Sequence, residues 1–283
     1  MAGAGTNPLL LRVVTGVVLV VVALVAVWRG GVLFTALVAA AVLLMFAEWS
    51  VMHRFGRGVR LAGLVLVAAI IMLAVIGRMN EALLLLGFGA VIIGMFAATL
   101  GGQLASGDTP HRRFNRAAGR AAATGLLYCA LPALALIWVR GLTLGLEATI
   151  FLLVCVWSAD IVAFFVGRSL GGAKLAPAIS PNKTWSGAIG GVVGAMLVTG
   201  GMATAYLASV DGQGAWKFIA VAGGLAMLSV LGDLYESHLK RRAGVKDSGT
   251  ILPGHGGVMD RLDGLVPVAI AGAAVFALTG WAG

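Results

Sequence analysis

Apolar residues run along this chain in long blocks separated by short polar stretches. The blocks show neither the alternation of a half-buried strand nor the single apolar stripe of a soluble surface helix. About 20 apolar residues cross a bilayer as a helix. The pattern predicts nine spans, at roughly 12–28, 31–49, 60–77, 81–100, 120–139, 142–166, 187–209, 215–236 and 264–281. A backbone exposed to lipid must satisfy its own hydrogen bonds, so such spans are helices. The expected fold is all-α, a polytopic integral membrane protein with about nine transmembrane helices. The first span is expected to be retained rather than cleaved, because only Arg12 precedes it and no clear small-residue cleavage site follows. Residues 1–140 are expected to form a helical scaffold, and 141–283 to carry the chemistry.

Composition narrows the class further. The 283 residues are 60% hydrophobic and 11% charged, with mean hydropathy +1.02. Soluble domains have about 25% charged residues, so a soluble globular enzyme is excluded, as is a disordered chain. The two cysteines, Cys129 and Cys155, lie in apolar stretches and offer no disulfide framework or thiolate metal site.

The net charge of +9 reads as topology rather than nucleic-acid binding. With nine spans, 16 Lys and Arg residues fall on one side of the membrane. Only Arg29, Arg78, Arg140 and Lys217 fall on the other. The positive-inside rule then puts the N-terminus in the cytoplasm and the C-terminus outside, in a bacterial-type inner or plasma membrane. Seven of the 11 acids lie from Asp160 onward, so the first half reads as nearly inert chemically. Its Ser106–Arg120 loop, with Arg112 and Arg113, reads as an interfacial connector. No internal repeat supports a transporter of inverted halves.

Three polar groups interrupt or abut the later spans. Asp160 sits within a span, after Trp157 and before Gly167 and Arg168. An intramembrane carboxylate is costly and marks a functional site or a structural pairing with a neighbouring helix. Ser180-Pro-Asn-Lys183-Thr184-Trp precedes a glycine-rich span. Its lysine and its backbone N–H groups at a helix start suit a phosphate, although Ser-Pro-Asn is also an ordinary turn and cap.

The third group is the polar stretch from Gly232 to Asp263. Asp233, Ser237 and Lys240 or Arg241 share one helix face if the helix leaves the membrane unbroken. A glycine-rich loop follows, whose backbone can approach a ligand closely. Asp260 and Asp263 open the last span. Asp233, Asp247, Asp260 and Asp263 among several Lys and Arg residues suit a divalent cation with polyphosphate, and the oxygen donors favour Mg²⁺ over Zn²⁺.

The 27 positions from Ser237 to Asp263 read Ser-x-Leu-Lys-Arg-x4-Lys-Asp-x-Gly-x2-Leu-Pro-x-His-Gly-Gly-Val-x-Asp-Arg-Leu-Asp. They resemble the signature of the phosphatidate cytidylyltransferases, also called CDP-diacylglycerol synthases. Ser180-Pro-x-Lys-Thr-Trp and the stretch from Asp160 to Arg168 resemble the same family. Ser186 departs from its commoner Glu, Asn182 from its commoner Lys, and Ile161-Val162 from small or polar residues.

The resemblance implies transfer of a cytidylyl group from CTP to phosphatidic acid, giving CDP-diacylglycerol and pyrophosphate in phospholipid biosynthesis. A CTP-dependent membrane lipid kinase is the alternative. The resemblance implies metal binding by Asp233 and Asp260, with Asp247 and Asp263 as further ligands or as anchors for Lys and Arg. It implies Mg²⁺ as cofactor, with a second and monovalent ion as a further option. Lys240, Arg241, Lys246 and Arg261 would hold phosphates. Ser180, Lys183, Thr184, Ser237, Gly256 and Gly257 would line the substrates, and Asp160 would order the pocket or meet a metal. His255 would donate to a phosphate or be a satisfied loop residue. The expected partners are CTP, phosphatidic acid, the bilayer and a second copy of the chain, with no nucleic acid. The site is expected to face the cytoplasm, where the soluble nucleotide and the lipid meet.

Overall fold

The computed structural model describes residues 8–104, 115–208, 216–252 and 256–281. It is almost entirely helical, as expected. In chain order the elements are α1 (Pro8–Arg29), α2 (Gly31–Met52), α3 (Arg57–Val75), α4 (Met79–Leu104), α5 (Arg116–Arg140) and α6 (Gly145–Leu170). A hairpin of β1 (Lys174–Ala176) and β2 (Ser180–Thr184) leads into α7 (Trp185–Ala195), a π-helical turn (Met196–Gly200) and α8 (Gly201–Ala208). The chain continues as α9 (Lys217–Ala243), α10 (Met259–Leu262) and α11 (Leu265–Thr279).

Each predicted span falls on a helical rod, α7, the π turn and α8 together forming one. Among the described residues, seven helices are long and apolar enough to cross a membrane. The terminal ones give shorter apolar stretches, Val13–Arg29 and Leu265–Thr279, so length alone does not establish nine crossings. The protein is a polytopic integral membrane protein.

The chain divides into two compact units: residues 1–138 with 247–261, and residues 139–246 with 262–283. In the first, α2 supplies the large buried side chains. Phe46 and Trp49 are almost wholly enclosed. Phe46 lies over Gly63 of α3, and Trp49 lies over Gly125 of α5 while donating its indole N–H to the Ala121 carbonyl at 2.9 Å. Lipid tails are as apolar as leucine, so close fit drives this packing rather than escape from water.

In the second unit, α6 and α7 approach through small residues. A Cβ on Gly191 would meet the Ala159 carbonyl at 2.7 Å, and one on Gly187 the Ala163 carbonyl at 2.9 Å. Such backbone proximity is the usual means of helix association in lipid. The buried Ser158 and Thr199 hydroxyls pair at 3.1 Å where the π turn widens the rod.

Among the described residues, a short antiparallel hairpin is the main departure from an all-helical reading. The turn lies at 177–179, ahead of Ser180, and Ala176 pairs with Ser180 in the ladder. Pro181 keeps this segment out of helix, and in β2 its missing N–H is tolerated because such a ribbon is all edge. The helix cap falls at Thr184, whose Oγ1 accepts the Gly187 N–H at 3.1 Å.

Candidate active site

In the second unit, polar side chains from four elements converge. Lys183, on β2, forms an ion pair with Asp233 of α9. Asp160 of α6 and Asp263, in the turn before α11, are close enough for their charges to act on this pair. α6 continues to Leu170, so Asp160 lies roughly three turns from its end rather than the two expected from a span ending at 166. Gly232 lets α9 approach the chain at Asp263, since a Cβ there would meet the Asp263 carbonyl at 2.6 Å. Burial first, and then the Asp233 carboxylate, push the Asp263 carboxyl up to about 7, while the Gly264 amide pulls the other way. Asp233 alone is ion-paired with Lys183, and the Asp263 carboxyl also feels the Asp160 carboxylate.

The expected face of α9 is present in part. Ser237 Oγ donates to Asp233 Oδ1 at 3.3 Å, one helical turn apart. Lys240 turns instead to Glu236, at 2.6 Å, and Glu236 is fully buried. Arg241 donates to the Val245 carbonyl at 3.3 Å, where the helix ends on left-handed Gly244. Lys246, Asp247 and Arg261 are exposed. Thr184 is buried and engaged as the α7 cap, which also pairs with Ser186 Oγ at 3.0 Å. Ser186 lies in the first turn of α7 and donates to the Gly171 carbonyl, so it is no free loop position.

In the first unit, the signature loop closes on Asp260. Its carboxylate accepts the Ser248 N–H at 3.0 Å and the Gly257 N–H at 2.9 Å. Leu252 and Gly256 form an isolated bridge, and Gly256 adopts φ 85°, a left-handed conformation that favours glycine. Asp260 belongs to α10, whereas Asp263 follows it. The expected single helix start bearing both acids is thus broken into two elements, with Gly264 as the N-cap of α11. His255 lies outside the described residues, as do Arg112 and Arg113 of the connector.

The first half supplies one carboxylate to the signature loop. Glu48, near the end of α2, is 3% exposed. It accepts the Val258 and Met259 N–H groups, each at 2.9 Å, and the Ser248 hydroxyl at 3.1 Å. The sequence signal was a lone carboxylate in an apolar span, the same kind that singled out Asp160.

Among the described residues, no three His, Cys, Asp or Glu side chains converge as a complete ligand set. The donors still fit Mg²⁺. They are carboxylate oxygens, one of them already facing a cation on Lys183, and Mg²⁺ commonly takes one or two carboxylates plus water and substrate phosphates.

Fold and site together define a helical integral membrane protein with a carboxylate and lysine centre in one unit and a glycine-rich loop closed on Asp260 in the other. A family model described as the cytidylyltransferase family matches residues 10–279, and the chain belongs to that family. A phosphatidate cytidylyltransferase of Brucella melitensis is 43% identical over 264 residues, 91% of this chain and 89% of its own length. One from Haemophilus influenzae is 42% identical over 43% of this chain and 42% of its own. One from Helicobacter pylori is 46% identical over 43% and 44%.

Proposed function

We propose that this protein transfers the cytidylyl group of CTP to phosphatidic acid, forming CDP-diacylglycerol and releasing pyrophosphate. The observation that carries this reading is the intact Ser237–Asp263 stretch in a chain that aligns over nine-tenths of its length with a relative named for this activity. Nothing in either the site or the relatives favours the lipid-kinase alternative.

The chemistry asks little of the protein in covalent terms. A phosphate monoester has its second pKa near 6, so phosphatidate arrives largely as a dianion and needs no general base. Its oxygen attacks the α-phosphorus of CTP, and the bond to the β-phosphate oxygen breaks, with the electron pair leaving on pyrophosphate. The protein's task is to hold two anions in line and offset their charge. Lys183 brings an ammonium to the carboxylate cluster, and Lys246, Arg241 and Arg261 are further cations of the signature stretch. Lys240 stands on Glu236, which fixes its ammonium for a phosphate. Ser237 orients Asp233.

Asp233 and Asp260 would hold Mg²⁺, with a monovalent ion as a second metal and Asp247 or Asp263 as further anchors. A bound Mg²⁺ would supply charge neutralisation at the attacking and leaving oxygens. The same proposal covers a homodimer, a site facing the cytoplasm and the N-in, C-out orientation supported by the distribution of Lys and Arg.

The test is purified protein with radiolabelled CTP and phosphatidic acid. CDP-diacylglycerol formation is expected, and its absence would refute this reading; a phosphorylated lipid with CDP released when a lipid alcohol is supplied instead would favour the kinase.

A further inference from the structure

We propose that Glu48 is a positioning residue that sets the signature loop and, through it, the Asp260 carboxylate. The proposal rests on the reading of Asp260 as a Mg²⁺ ligand. A carboxylate enclosed this fully is costly unless its oxygens are satisfied. Glu48 meets that condition with three hydrogen bonds from one loop. Oε1 takes the Val258 N–H, and Oε2 takes the Met259 N–H and the Ser248 hydroxyl. The loop backbone is also shaped around this carboxylate. A Cβ on Gly249 would meet Oε1 at 2.7 Å, and one on Gly257 would meet Oε2 at 2.7 Å. Two glycines of the signature thus leave room for this carboxylate, and Gly257 leaves room for Ser248 Oγ as well.

Asp260 stands one residue beyond Met259 and takes a complementary set of donors. Its carboxylate holds the Ser248 and Gly257 N–H groups. Ser248 is thus gripped twice, through its hydroxyl by Glu48 and through its amide by Asp260. One carboxylate is buried and the other partly open, and between them they fix both strands of the loop. The open one is the proposed ligand; the buried one determines where that ligand sits. Groups that orient metal ligands in this way change metal affinity about 10-fold to 100-fold when removed.

The experiment uses full-length protein in detergent and the variant Glu48→Gln. Glutamine keeps the volume, but its NH₂ group faces an N–H or O–H donor on one side. Mn²⁺ binding is measured by electron paramagnetic resonance, and the Ser248, Val258 and Met259 amides are followed by hydrogen exchange. Glu48→Gln is expected to weaken Mn²⁺ binding about 10-fold to 100-fold, to speed exchange at those amides, and to raise the Mg²⁺ needed for half-maximal activity. Ser248→Ala removes only the hydroxyl donor and should shift Mn²⁺ binding in the same direction by less. It also serves if Glu48→Gln does not fold. Ser50→Ala, which removes a buried hydroxyl bonded to the Phe46 carbonyl in the same helix, should lower stability and leave Mn²⁺ binding unchanged. Unaltered Mn²⁺ affinity in folded Glu48→Gln, or in Ser248→Ala if only that variant folds, would overturn the proposal. So would a shift of equal size in Ser50→Ala. The binding and exchange measurements require no turnover, so a protein that makes no CDP-diacylglycerol would refute the proposed activity without deciding the role of Glu48.

Discussion

Replacing Asp233 with Asn separates what this side chain does for the fold from what it does for the reaction. Asn keeps the shape and can still accept from Ser237. What is lost is the charge facing Lys183. The two side chains of that ion pair are 32% and 27% exposed, and pairs this accessible to solvent contribute about 1 kcal/mol or less. The variant should therefore fold, with a melting temperature lowered by no more than a few degrees. The reaction should respond far more strongly. Removing one group that stabilises developing charge in a preorganised site costs about 10²–10³ in kcat, or roughly 3–4 kcal/mol. The disparity is diagnostic, since destabilisation of about 1 kcal/mol leaves a stable protein largely folded at assay temperature. The assay is CDP-diacylglycerol formation from radiolabelled CTP at saturating substrate, with thermal unfolding of the same preparation. Activity within about threefold of wild type, a barrier change of only ~0.7 kcal/mol, would refute the assignment. Lys183→Met, combined with Asp233→Asn in a double-mutant cycle, should show less than additive loss, because the two changes remove one shared interaction.

Asp260→Asn should also reduce activity by orders of magnitude. The Asp233→Asn/Asp260→Asn double variant should be little worse than either single one, because groups acting as a unit are strongly non-additive; full activity in Asp260→Asn would leave it only a loop-holding role. Gly257→Ala places a methyl group against Ser248 Oγ and Glu48 and should destabilise by about 1–3 kcal/mol, read as a lower melting temperature. CTP or dCTP should be used in preference to ATP and GTP, an expectation drawn from the family alone, and equal displacement of CTP by ATP in competition would contradict it. Cysteine labelling should find position 57 cytoplasmic and position 283 outside, and the same side for both would refute the nine-span topology.

Hydropathy made the rods legible because a bilayer imposes one length and one composition on whatever crosses it. The hairpin was hidden because Lys174–Ala176 and Ser180–Thr184 are too short for a period to show. The site was legible where residues are close in sequence: Asp233 and Ser237 meet one turn apart, as their spacing implies. The Lys240–Glu236 pair was not legible, because nothing in the sequence marks Glu236, four residues before Lys240, as a buried anion. Glu48 was missed for a different reason. Its partners lie 200 to 211 residues downstream, and spacing cannot reveal a contact at that distance.

The same separation places a constraint on biosynthesis. Glu48 is inserted early, but the Val258 amide that satisfies it is 210 residues away. At synthesis rates of about 5–20 residues per second, that interval lasts roughly 10–40 s. Throughout it, the carboxylate must stay hydrated at the membrane boundary or be shielded by other proteins. The α6–α7 pair, by contrast, can close as soon as its two neighbouring segments have emerged. Quality control acting on this protein would thus have a window in which most of the chain is inserted but the loop is not yet seated on Glu48, and α2 is the segment that remains incomplete.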